Sequence, residues 1–425
     1  MYRDTRSVCP ICLRNLPARL VSRPDGSVEM QKTCPAHGSF SAAVWRGKTD
    51  FDAWCAGSEP LAADAGLHCI ENCGLCAEHE TASCCVLLEV TRRCNLRCRY
   101  CFAEGGVEAA DPPKAEMEQA IRSIAARCGG VLLQLSGGEP TLRDDLPELV
   151  RFAKAAGCAY VQVNTNGLRI AREPAYASRL AEAGLDIVFL QFDGTDNAIY
   201  EHLRGAPLLE TKLEAVRVCA ELGVGVTLVP TVVRGVNDRN LGAIVSLAAS
   251  MSPGVRGVHF QPVSYFGRFP DQPDGAERYT LDELMYDLHV QSGIPMDCFL
   301  PSRCDHPLCG FHAAFLIGGD GTLEPLHSAG AGIQRSSAAQ NRAYVARRWM
   351  RADRPAERPA GGGSDFDRFL YRVRHESLTL SAMAFQDAMN LNIERLHRCS
   401  LHVYDGGSIK PFCAKYLSCM PETGK

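Results

Sequence analysis

Three cysteines at short, fixed spacing carry the clearest chemistry in this chain. Cys94, Cys98 and Cys101 follow one another as Cys-x3-Cys-x2-Cys, directly after an apolar run over 86–90. That run has the composition of a buried strand in a parallel sheet. Three thiolates on a short loop after a strand can bind an iron–sulfur cluster and leave one iron without a protein ligand. The alternative is a zinc knuckle, which normally takes four ligands arranged as cysteine pairs.

Two further segments and one aromatic residue, together with the cysteine spacing, match the pattern of a known superfamily. Tyr100 stands just before the last cysteine, and Ser136-Gly-Gly-Glu-Pro140 and Asn164-Thr-Asn-Gly167 follow in that order. Together they resemble the radical S-adenosylmethionine (radical SAM) superfamily. The resemblance implies a [4Fe-4S] cluster on the three cysteines, with S-adenosylmethionine on the open iron, and it argues strongly against the zinc knuckle.

The same resemblance implies which loop residues bind S-adenosylmethionine. The family's glycine-rich loop receives the amino group of the cofactor, and glycine lets the backbone come close to a ligand. The asparagines and the aspartate suit the ribose hydroxyls or the methionyl carboxylate, with ordinary loop polarity as the alternative. The tyrosine and the glutamine resemble family positions near the adenine. The predicted contacts are Gly137, Gly138, Glu139, Asn164, Asn166, Asp193, Tyr100 and Gln261.

Between residues 86 and 265 strand-like and helical runs alternate. The strand-like runs are 86–90, 131–135, 160–163, 187–192, 224–229 and 257–261. The helical runs are 115–126, 142–156, 173–183, 208–222 and 240–249. Six alternating units imply a parallel sheet with right-handed crossovers. The predicted fold is therefore α/β, an open partial (β/α)6 TIM-like radical SAM barrel that works at the carboxyl ends of its strands.

Residues 1–85 form a cysteine-rich head. A Cys-x2-Cys pair, a hairpin over 18–30 and later cysteines give it the build of a rubredoxin or zinc ribbon. We expect four thiolates to hold one iron or zinc ion, with a second small site or spare structural cysteines as alternatives. The thiolates are drawn from Cys9, Cys12, Cys34, Cys69, Cys73 and Cys76. His37 and His79 are interpreted as solvated loop histidines.

Residues 266–425 form a C-terminal region after the barrel. The sequence predicts helices over 281–292 and 381–396, hairpins over 315–324 and 403–409, and a Pro- and Gly-rich linker over 351–365. Four cysteines here flank turns and make a plausible set for an auxiliary [4Fe-4S] cluster, for which scattered buried packing is the alternative. The set is Cys304, Cys309, Cys399 and Cys413, in which Cys298 or Cys419 is an alternative member.

Composition limits the partners and the cellular compartment that we expect for this protein. The chain has 425 residues, 46% of them apolar, and a net charge of −4, which gives no basic footprint for nucleic acid. The N-terminus lacks the apolar core of a signal peptide, and no apolar run reaches the 18 residues of a membrane span. Twenty-one cysteines without a signal favour clusters and metals over disulfides. We therefore expect a reducing, cytoplasmic location and no transmembrane segment.

The sequence segments around the motifs indicate a branch of the superfamily. Cys9-Pro-Ile-Cys-Leu and Cys34-Pro-Ala-His-Gly are similar to archaeal tetraether lipid synthases and pterin-directed radical methyltransferases. Gln134-Leu-Ser-Gly-Gly-Glu-Pro-Thr141 and Val258-His-Phe-Gln-Pro-Val-Ser-Tyr-Phe-Gly267 resemble, more closely still, the bacterial radical SAM (seleno)protein TrsS family.

The branch implies reductive cleavage of S-adenosylmethionine to a 5′-deoxyadenosyl radical, which abstracts hydrogen from an unactivated carbon. Carbon–carbon coupling or methyl transfer on a small-molecule, lipid-like or cofactor substrate would follow, with a flavodoxin- or ferredoxin-type electron donor. One alternative is a radical maturase of a peptide. A non-catalytic multi-cluster electron-transfer protein is the other, although simple electron relay does not need the glycine-rich cofactor loop.

Overall fold

The protein is described here from a computed structural model. The described residues are 2–58, 66, 67, 69, 70, 73–106, 110–270, 274, 275, 278–326, 336–350 and 364–420. Most of the linker expected over 351–365 lies outside these ranges. None of the helices in them has the length and apolar character that a bilayer span requires.

The head is a four-stranded antiparallel sheet in chain order. Its strands are β1 (Tyr2–Val8), β2 (Asn15–Ser22), β3 (Ser27–Cys34) and β4 (Gly38–Arg46), and a short helix follows, α1 (Phe51–Trp54). The expected hairpin is β2–β3, whose turn contains Gly26 at a φ of +81°. This turn brings the cysteine pair before β2 close to the cysteine that ends β3.

The central part alternates strand and helix as predicted. Its elements are β5 (Cys85–Thr91), α2 (Lys114–Cys128), β6 (Leu132–Gly137), α3 (Leu146–Ala155), β7 (Tyr160–Thr165), α4 (Leu168–Arg172), α5 (Pro174–Glu182), β8 (Ile187–Gln191), α6 (Asn197–Arg204), α7 (Leu209–Glu221), β9 (Gly225–Val229), β10 (Thr231–Val232), α8 (Leu241–Ser250) and β11 (Val255–Pro262). Strands β5, β6, β7, β8, β9 and β11 pair in parallel as neighbours. All residues of β6 and β9 are buried, as expected for a parallel sheet covered on both faces. The predicted partial (β/α)6 barrel is confirmed.

The C-terminal region does not stand apart from this sheet. Its elements are α9 (Leu281–Ser292), β12 (Leu300–Pro301), β13 (Phe311–Ile317), β14 (Leu323–Pro325), α10 (Ala338–Trp349), α11 (Asp365–His375), β15 (Ser377–Ala382), α12 (Ile393–His397), β16 (Leu401–Asp405), β17 (Ser408–Pro411) and α13 (Phe412–Lys415). Strand β15 pairs in parallel with β11, and β16 pairs in parallel with β5. The region therefore covers both edges of the six-stranded sheet.

One predicted element is wrong. The helix expected over 381–396 is replaced by the end of β15, an irregular segment and the short helix α12. In the irregular segment the Asp387 carboxylate accepts a hydrogen bond from the Met389 backbone, and the Gln386 side-chain Oε1 atom accepts one from the Asn392 backbone. Such side-chain to backbone bonds compete with helical ones, so good helix formers do not form a helix here.

The head is anchored to the C-terminal region by polar contacts. Thr5 donates a hydrogen bond to Asn392 over 2.8 Å, and the buried Lys32 ammonium donates one to the Ala388 carbonyl over 2.7 Å. Arg3 forms an ion pair with Glu394 in α12. The head sheet is thus held by residues that follow β15.

Candidate functional site

The three cysteines of the Cys-x3-Cys-x2-Cys loop line one cavity of about 340 Å³ inside the barrel. The loop begins directly after β5, at the carboxyl ends of the parallel strands. Cys98 is buried, and Cys94 and Cys101 are half-buried. Burial raises the pKa of the Cys94 thiol to about 12. All three thiols thus face a shared, partly dry space.

Arg268 holds the cysteine loop in place. Its backbone exchanges two hydrogen bonds with Cys101, over 2.9 and 3.0 Å. Its guanidinium donates to the Cys98 carbonyl over 2.8 Å. Sequence reasoning missed Arg268, because 170 residues separate it from Cys98 and no spacing signal connects them.

The glycine-rich loop packs directly against the cysteine loop. Gly137 has a φ of +123°, and a Cβ there would lie 2.1 Å from the Thr91 carbonyl oxygen. A Cβ on Gly138 would lie 2.2 Å from the Arg93 carbonyl oxygen. The sequence predicts that these glycines let the backbone approach a ligand. In the structure, the absence of their side chains allows the loop after β6 to contact the backbone that follows β5. Both residues also line the cavity.

Glu139 does not present a free carboxylate to the cavity. One oxygen accepts hydrogen bonds from the hydroxyls of Thr141 and Thr165, over 2.5 and 2.6 Å. The other accepts one from the Asn166 backbone over 2.7 Å. The side chain is 1% exposed. Glu139 therefore ties the loop after β6 to the loop after β7.

Four of the other predicted contacts line the cavity. They are Tyr100, Asn164, Asn166 and Gln261. The Asn166 amide donates to the Asn95 side chain over 2.7 Å, which links it to the cysteine loop. Tyr100 packs against the cluster of Ile199, Leu203 and Val263.

Asp193 lies outside the cavity lining of the described residues, contrary to expectation. It is fully buried, and both carboxylate oxygens accept hydrogen bonds from Arg204, over 2.6 and 2.7 Å. The Thr231 backbone also donates to it over 3.1 Å. These three donors direct the carboxylate at protein groups rather than at the cavity. It positions Arg204, which does line the cavity.

Two buried cations lie close to the cysteine loop. Although burial opposes it, the neighbouring Asp193 and Cys98 hold the pKa of Arg204 above its ordinary value. Lys212 donates to the Asn166 carbonyl and, over 3.3 Å, to Gln191, and burial lowers its pKa to about 8. Sequence reasoning missed Lys212, because a lysine inside an amphipathic helix looks solvated.

The donor set fits an iron–sulfur cluster with bound S-adenosylmethionine. Three thiols share one cavity, and the nearby Lys212 ammonium offsets part of the charge that thiolates and a cluster would bring. Amide side chains at the ends of β7, β8 and β11 surround the remaining space. Such groups can bind hydroxyl, amino and adenine nitrogen atoms.

Away from the cysteine loop, the cavity continues down the barrel interior to α10. There His259 donates or accepts a hydrogen bond with the Ser381 hydroxyl over 2.9 Å, and burial lowers its pKa to about 3. The rings of Phe189 and Trp349 lie 5.2 and 5.7 Å from its own ring. This neutral imidazole and the two aromatic rings, which are tilted against one another by 35–72°, line the same part of the cavity.

The four cysteines predicted for an auxiliary cluster come together beside this cavity. Burial raises the pKa of Cys399, with further contributions from Asp305 and the neighbouring Cys413 and Cys309. Burial likewise raises the pKa of Cys309, to which Cys304 adds. Arg395 donates to the Cys309 sulfur over 3.4 Å. Cys298 contacts Asp297 instead.

In the head, three predicted cysteines meet one unexpected partner. The ligand atoms of Cys9, Cys12, Cys34 and His37 all lie within 4.8 Å of one another. The His37 Nδ1 atom lies 3.5 Å from the Cys9 sulfur and 3.4 Å from the Cys34 sulfur. The interpretation of His37 as a solvated histidine is therefore corrected, because the turn after β3 carries it back onto the cysteines.

The other three head cysteines form a separate group. The Cys69 sulfur lies 2.9 Å from His397 Nε2, and Glu78 completes a set of ligand atoms within 4.8 Å. Burial raises the pKa of Cys69 to about 12, and the neighbouring Cys73, Glu78 and Cys76 add to it. His79 was expected to be a solvated loop histidine, but its Nε2 atom lies 3.1 Å from the Nε2 atom of His402. The six cysteines thus divide into two groups of three.

Comparison with known proteins identifies the class. Residues 88–248 match the radical SAM superfamily, and residues 1–46 match the HMPTM N-terminal zinc ribbon domain. The chain belongs to the radical SAM superfamily of enzymes, which use a [4Fe-4S] cluster and S-adenosylmethionine.

One relative covers most of the chain. It is the 7,8-dihydro-6-hydroxymethylpterin dimethyltransferase of Methanocaldococcus jannaschii, 33% identical over 357 residues, which are 77% of this chain and 70% of the relative. The probable GTP 3′,8-cyclase of Pyrococcus abyssi is 31% identical over 165 residues, 39% of this chain and about half (53%) of the relative. Among solved structures, Streptococcus suis SuiB bound to its precursor peptide SuiA has a TM-score of 0.43 at 16% identity, covering 51% of this chain and 48% of that one.

Proposed function

We propose that the protein acts on a small nitrogen heterocycle of the pterin type and removes a hydrogen atom from one of its carbons. The observation that carries the proposal is a single cavity. It joins the cysteine loop to a barrel interior lined by amides, a neutral histidine and aromatic rings.

In this proposal Cys94, Cys98 and Cys101 hold the catalytic cluster. When bound, the cluster and S-adenosylmethionine supply a one-electron reductive cleavage that gives methionine and a 5′-deoxyadenosyl radical able to take hydrogen from carbon. The residues around them bind and orient, and the cavity in the barrel interior limits the access of water. Asn164, Asn166 and Gln261 are the proposed polar contacts of the cofactor. Glu139 and Asp193 act as positioning residues, since their carboxylates are filled by protein donors.

The far half of the cavity supports a heterocycle rather than a lipid-like substrate. Phe189 and Trp349 offer ring faces, and His259 and Ser381 offer hydrogen-bonding groups beside them. The Thr379 hydroxyl lines the same space and has no hydrogen-bond partner within the described ranges. A lipid chain would leave the Thr379 hydroxyl unsatisfied, at a cost of about 1–3 kcal/mol. The pterin named for the relative from Methanocaldococcus jannaschii has the matching chemistry.

The remaining cysteines are proposed as metal ligands with supporting roles. Cys304, Cys309, Cys399 and Cys413 would hold an auxiliary [4Fe-4S] cluster with no open iron, suited to electron transfer. The head would hold one tetrahedral zinc or iron ion through three thiolates and one imidazole. Its proposed ligands are Cys9, Cys12, Cys34 and His37. A flavodoxin- or ferredoxin-type protein is proposed as the electron donor.

Deuterium transfer tests the proposal. The anaerobically reconstituted protein is given S-adenosylmethionine, dithionite and 7,8-dihydro-6-hydroxymethylpterin carrying deuterium on its carbons. We expect deuterium in 5′-deoxyadenosine. Cys98→Ala should lose about four irons and all deoxyadenosine release while keeping its other metals. Cys219→Ala, which removes a buried thiol outside every proposed site, should match the parent protein.

Two outcomes would contradict the proposal. Deoxyadenosine release by Cys98→Ala would show that Cys98 is not a ligand of the catalytic cluster. Label transfer from a peptide, but from no pterin, would favour a peptide maturase instead.

A further inference from the structure

Two arginines line the cavity at its far end, beside α10. Arg303 precedes the first auxiliary cysteine, and Arg348 lies in the last turn of α10. Their guanidinium carbons lie 5.1 and 5.6 Å from the centre of the Tyr344 ring. The ring of His312 lies 5.7 Å from the same tyrosine. Two cations, a phenol and an imidazole thus surround one end of the cavity.

These two positive charges are not neutralised by the protein in the part of the chain that the structure describes. Elsewhere, the buried Arg204 and Arg278 each form an ion pair with a buried aspartate, at 2.6 Å. Neither Arg303 nor Arg348 has a carboxylate within 4.0 Å among the described residues. The Nη1 atom of Arg348 is shielded from water and has no hydrogen-bond partner there.

The acid at this end of the cavity, Asp305, is engaged by other hydrogen-bond donors. The Asp305 carboxylate accepts hydrogen bonds from the Ser400 backbone over 2.7 Å and from the Ser302 hydroxyl over 3.2 Å. A shielded guanidinium donor without a partner is costly, so a bound anion would stabilise it. The planar fork of arginine suits carboxylate and phosphate oxygens.

The position of this end fixes which part of a substrate would reach it. Trp349 of α10 packs against Leu132 and Ile187, which begin β6 and β8. The cysteine loop lies at the opposite, carboxyl ends. Strand β6 has six residues, so the two ends are roughly 15–20 Å apart at 3.3 Å per residue. Trp349, which follows Arg348 in α10, therefore contacts the end of these two strands that is remote from the cysteine loop.

We propose that Arg303 and Arg348 bind an anionic arm of the substrate, a carboxylate or a phosphate carried at the end away from the cysteine loop. The inference takes the pterin-type heterocycle from the proposed function. What it adds is that the heterocycle carries a negatively charged substituent. Tyr344 orients both guanidiniums through its ring. The arm would fix the register of the substrate, so that one carbon faces the cofactor.

Binding to the reconstituted protein tests the charge preference without turnover. The ligands are 6-hydroxymethylpterin, pterin-6-carboxylate and the phosphate monoester of 6-hydroxymethylpterin, each titrated by its own fluorescence. The variants are Arg303→Gln and Arg348→Gln. Arg347→Gln is the matched control, since Arg347 is the exposed neighbour on the same helix. A second arm measures the thermal shift given by inorganic pyrophosphate alone.

We expect the parent protein and Arg347→Gln to bind an anionic pterin roughly ten- to a hundred-fold more tightly than the neutral one. Preference for the carboxylate or for the phosphate ester identifies the group. Arg348→Gln should lose the preference and keep its affinity for the neutral pterin, and Arg303→Gln gives the same test if Arg348→Gln fails to fold.

Equal binding of neutral and anionic pterins by the parent protein, or an unchanged preference in both glutamine variants, would overturn the inference. If no pterin binds but pyrophosphate stabilises the parent and Arg347→Gln and not Arg348→Gln, the pterin class fails and the anion site stands.

Discussion

At the scale of single residues, the glycines after β6 show how the cysteine loop is fixed. Gly137 combines a φ of +123° with contact against the Thr91 carbonyl, so a side chain meets both backbone strain and a clash. Strain of this kind costs about 1–3 kcal/mol. The clash adds movement of the loop that carries Cys94.

Gly137→Ala should therefore lower both stability and cofactor binding. We expect a lower midpoint of thermal unfolding, by an amount that corresponds to at least about 2 kcal/mol, and at least ten-fold weaker binding of S-adenosylmethionine. Gly157→Ala is the control, because Gly157 has a φ of +95° but nothing within 4 Å of its would-be Cβ. It should lose stability and keep cofactor affinity. Equal cofactor affinity in both variants would show that loop contact does not matter.

His259 makes stability depend on pH. Burial lowers its pKa to about 3, so the folded protein keeps the imidazole neutral where the unfolded chain, with a pKa near 6.5, takes up a proton. The contribution of His259 to the free energy of unfolding is fully present above pH 6.5 and decreases as the pH falls towards 3. At pH 5.5 the loss is about 1.4 kcal/mol.

His259→Gln removes this titration and keeps a hydrogen-bonding group beside Ser381. Thermal unfolding is measured for both proteins between pH 7.5 and 5.5. We expect the parent to lose more stability than the variant across this interval. The buried His402, whose pKa is also about 3, contributes equally to both proteins and cancels. Parallel pH curves would show that His259 is protonated in the folded state.

At the scale of elements, α10 closes the barrel end that lies opposite the cysteine loop. Trp349 is 9% exposed and its ring lies 5.3 Å from Phe189. Truncating a buried tryptophan typically costs about 3–5 kcal/mol. Trp349→Ala should therefore loosen α10, whereas Trp349→Phe keeps an aromatic contact. Hydrogen exchange over 338–349 should be faster in the alanine variant only. Unchanged exchange would mean that other contacts hold the helix.

Sequence patterns predicted the elements whose burial is local and regular. The six parallel strands and the helices between them follow from apolar runs of characteristic length, as at β6 and α7. The three cysteines proposed as cluster ligands follow from their spacing. The helix expected over 381–396 failed because Gln386 and Asp387 bond to nearby backbone instead.

The rest of the site depends on contacts that are distant in sequence. Arg268 reaches the cysteine loop from the segment that follows β11, and Lys212, inside α7, reaches the Asn166 carbonyl after β7. The pairing of Asp193 with Arg204 could not be predicted, because Arg204 is a helical residue whose direction the sequence does not show. His37 was misjudged because the turn that brings it to Cys9 is a property of the folded hairpin.

At the scale of the whole molecule, one sheet joins the central part and the C-terminal region. Strand β16 covers the edge of β5, and β15 covers the edge of β11. Exposed edges of a buried, apolar parallel sheet promote aggregation. The boundary expected near residue 265 therefore separates segments of sequence that share one sheet.

A chain that ends at residue 398 tests the role of β16. It lacks β16, β17 and two proposed auxiliary ligands, and we expect it to aggregate because the edge of β5 is uncovered. The full-length double variant Cys399→Ser with Cys413→Ser keeps the strands and removes only the thiols. It should elute from a size-exclusion column at the same volume as the parent and lose about four irons. If the double variant aggregated as strongly as the shortened chain, the auxiliary cluster rather than the added strand would hold this edge, because only the metal ligands differ between it and the parent.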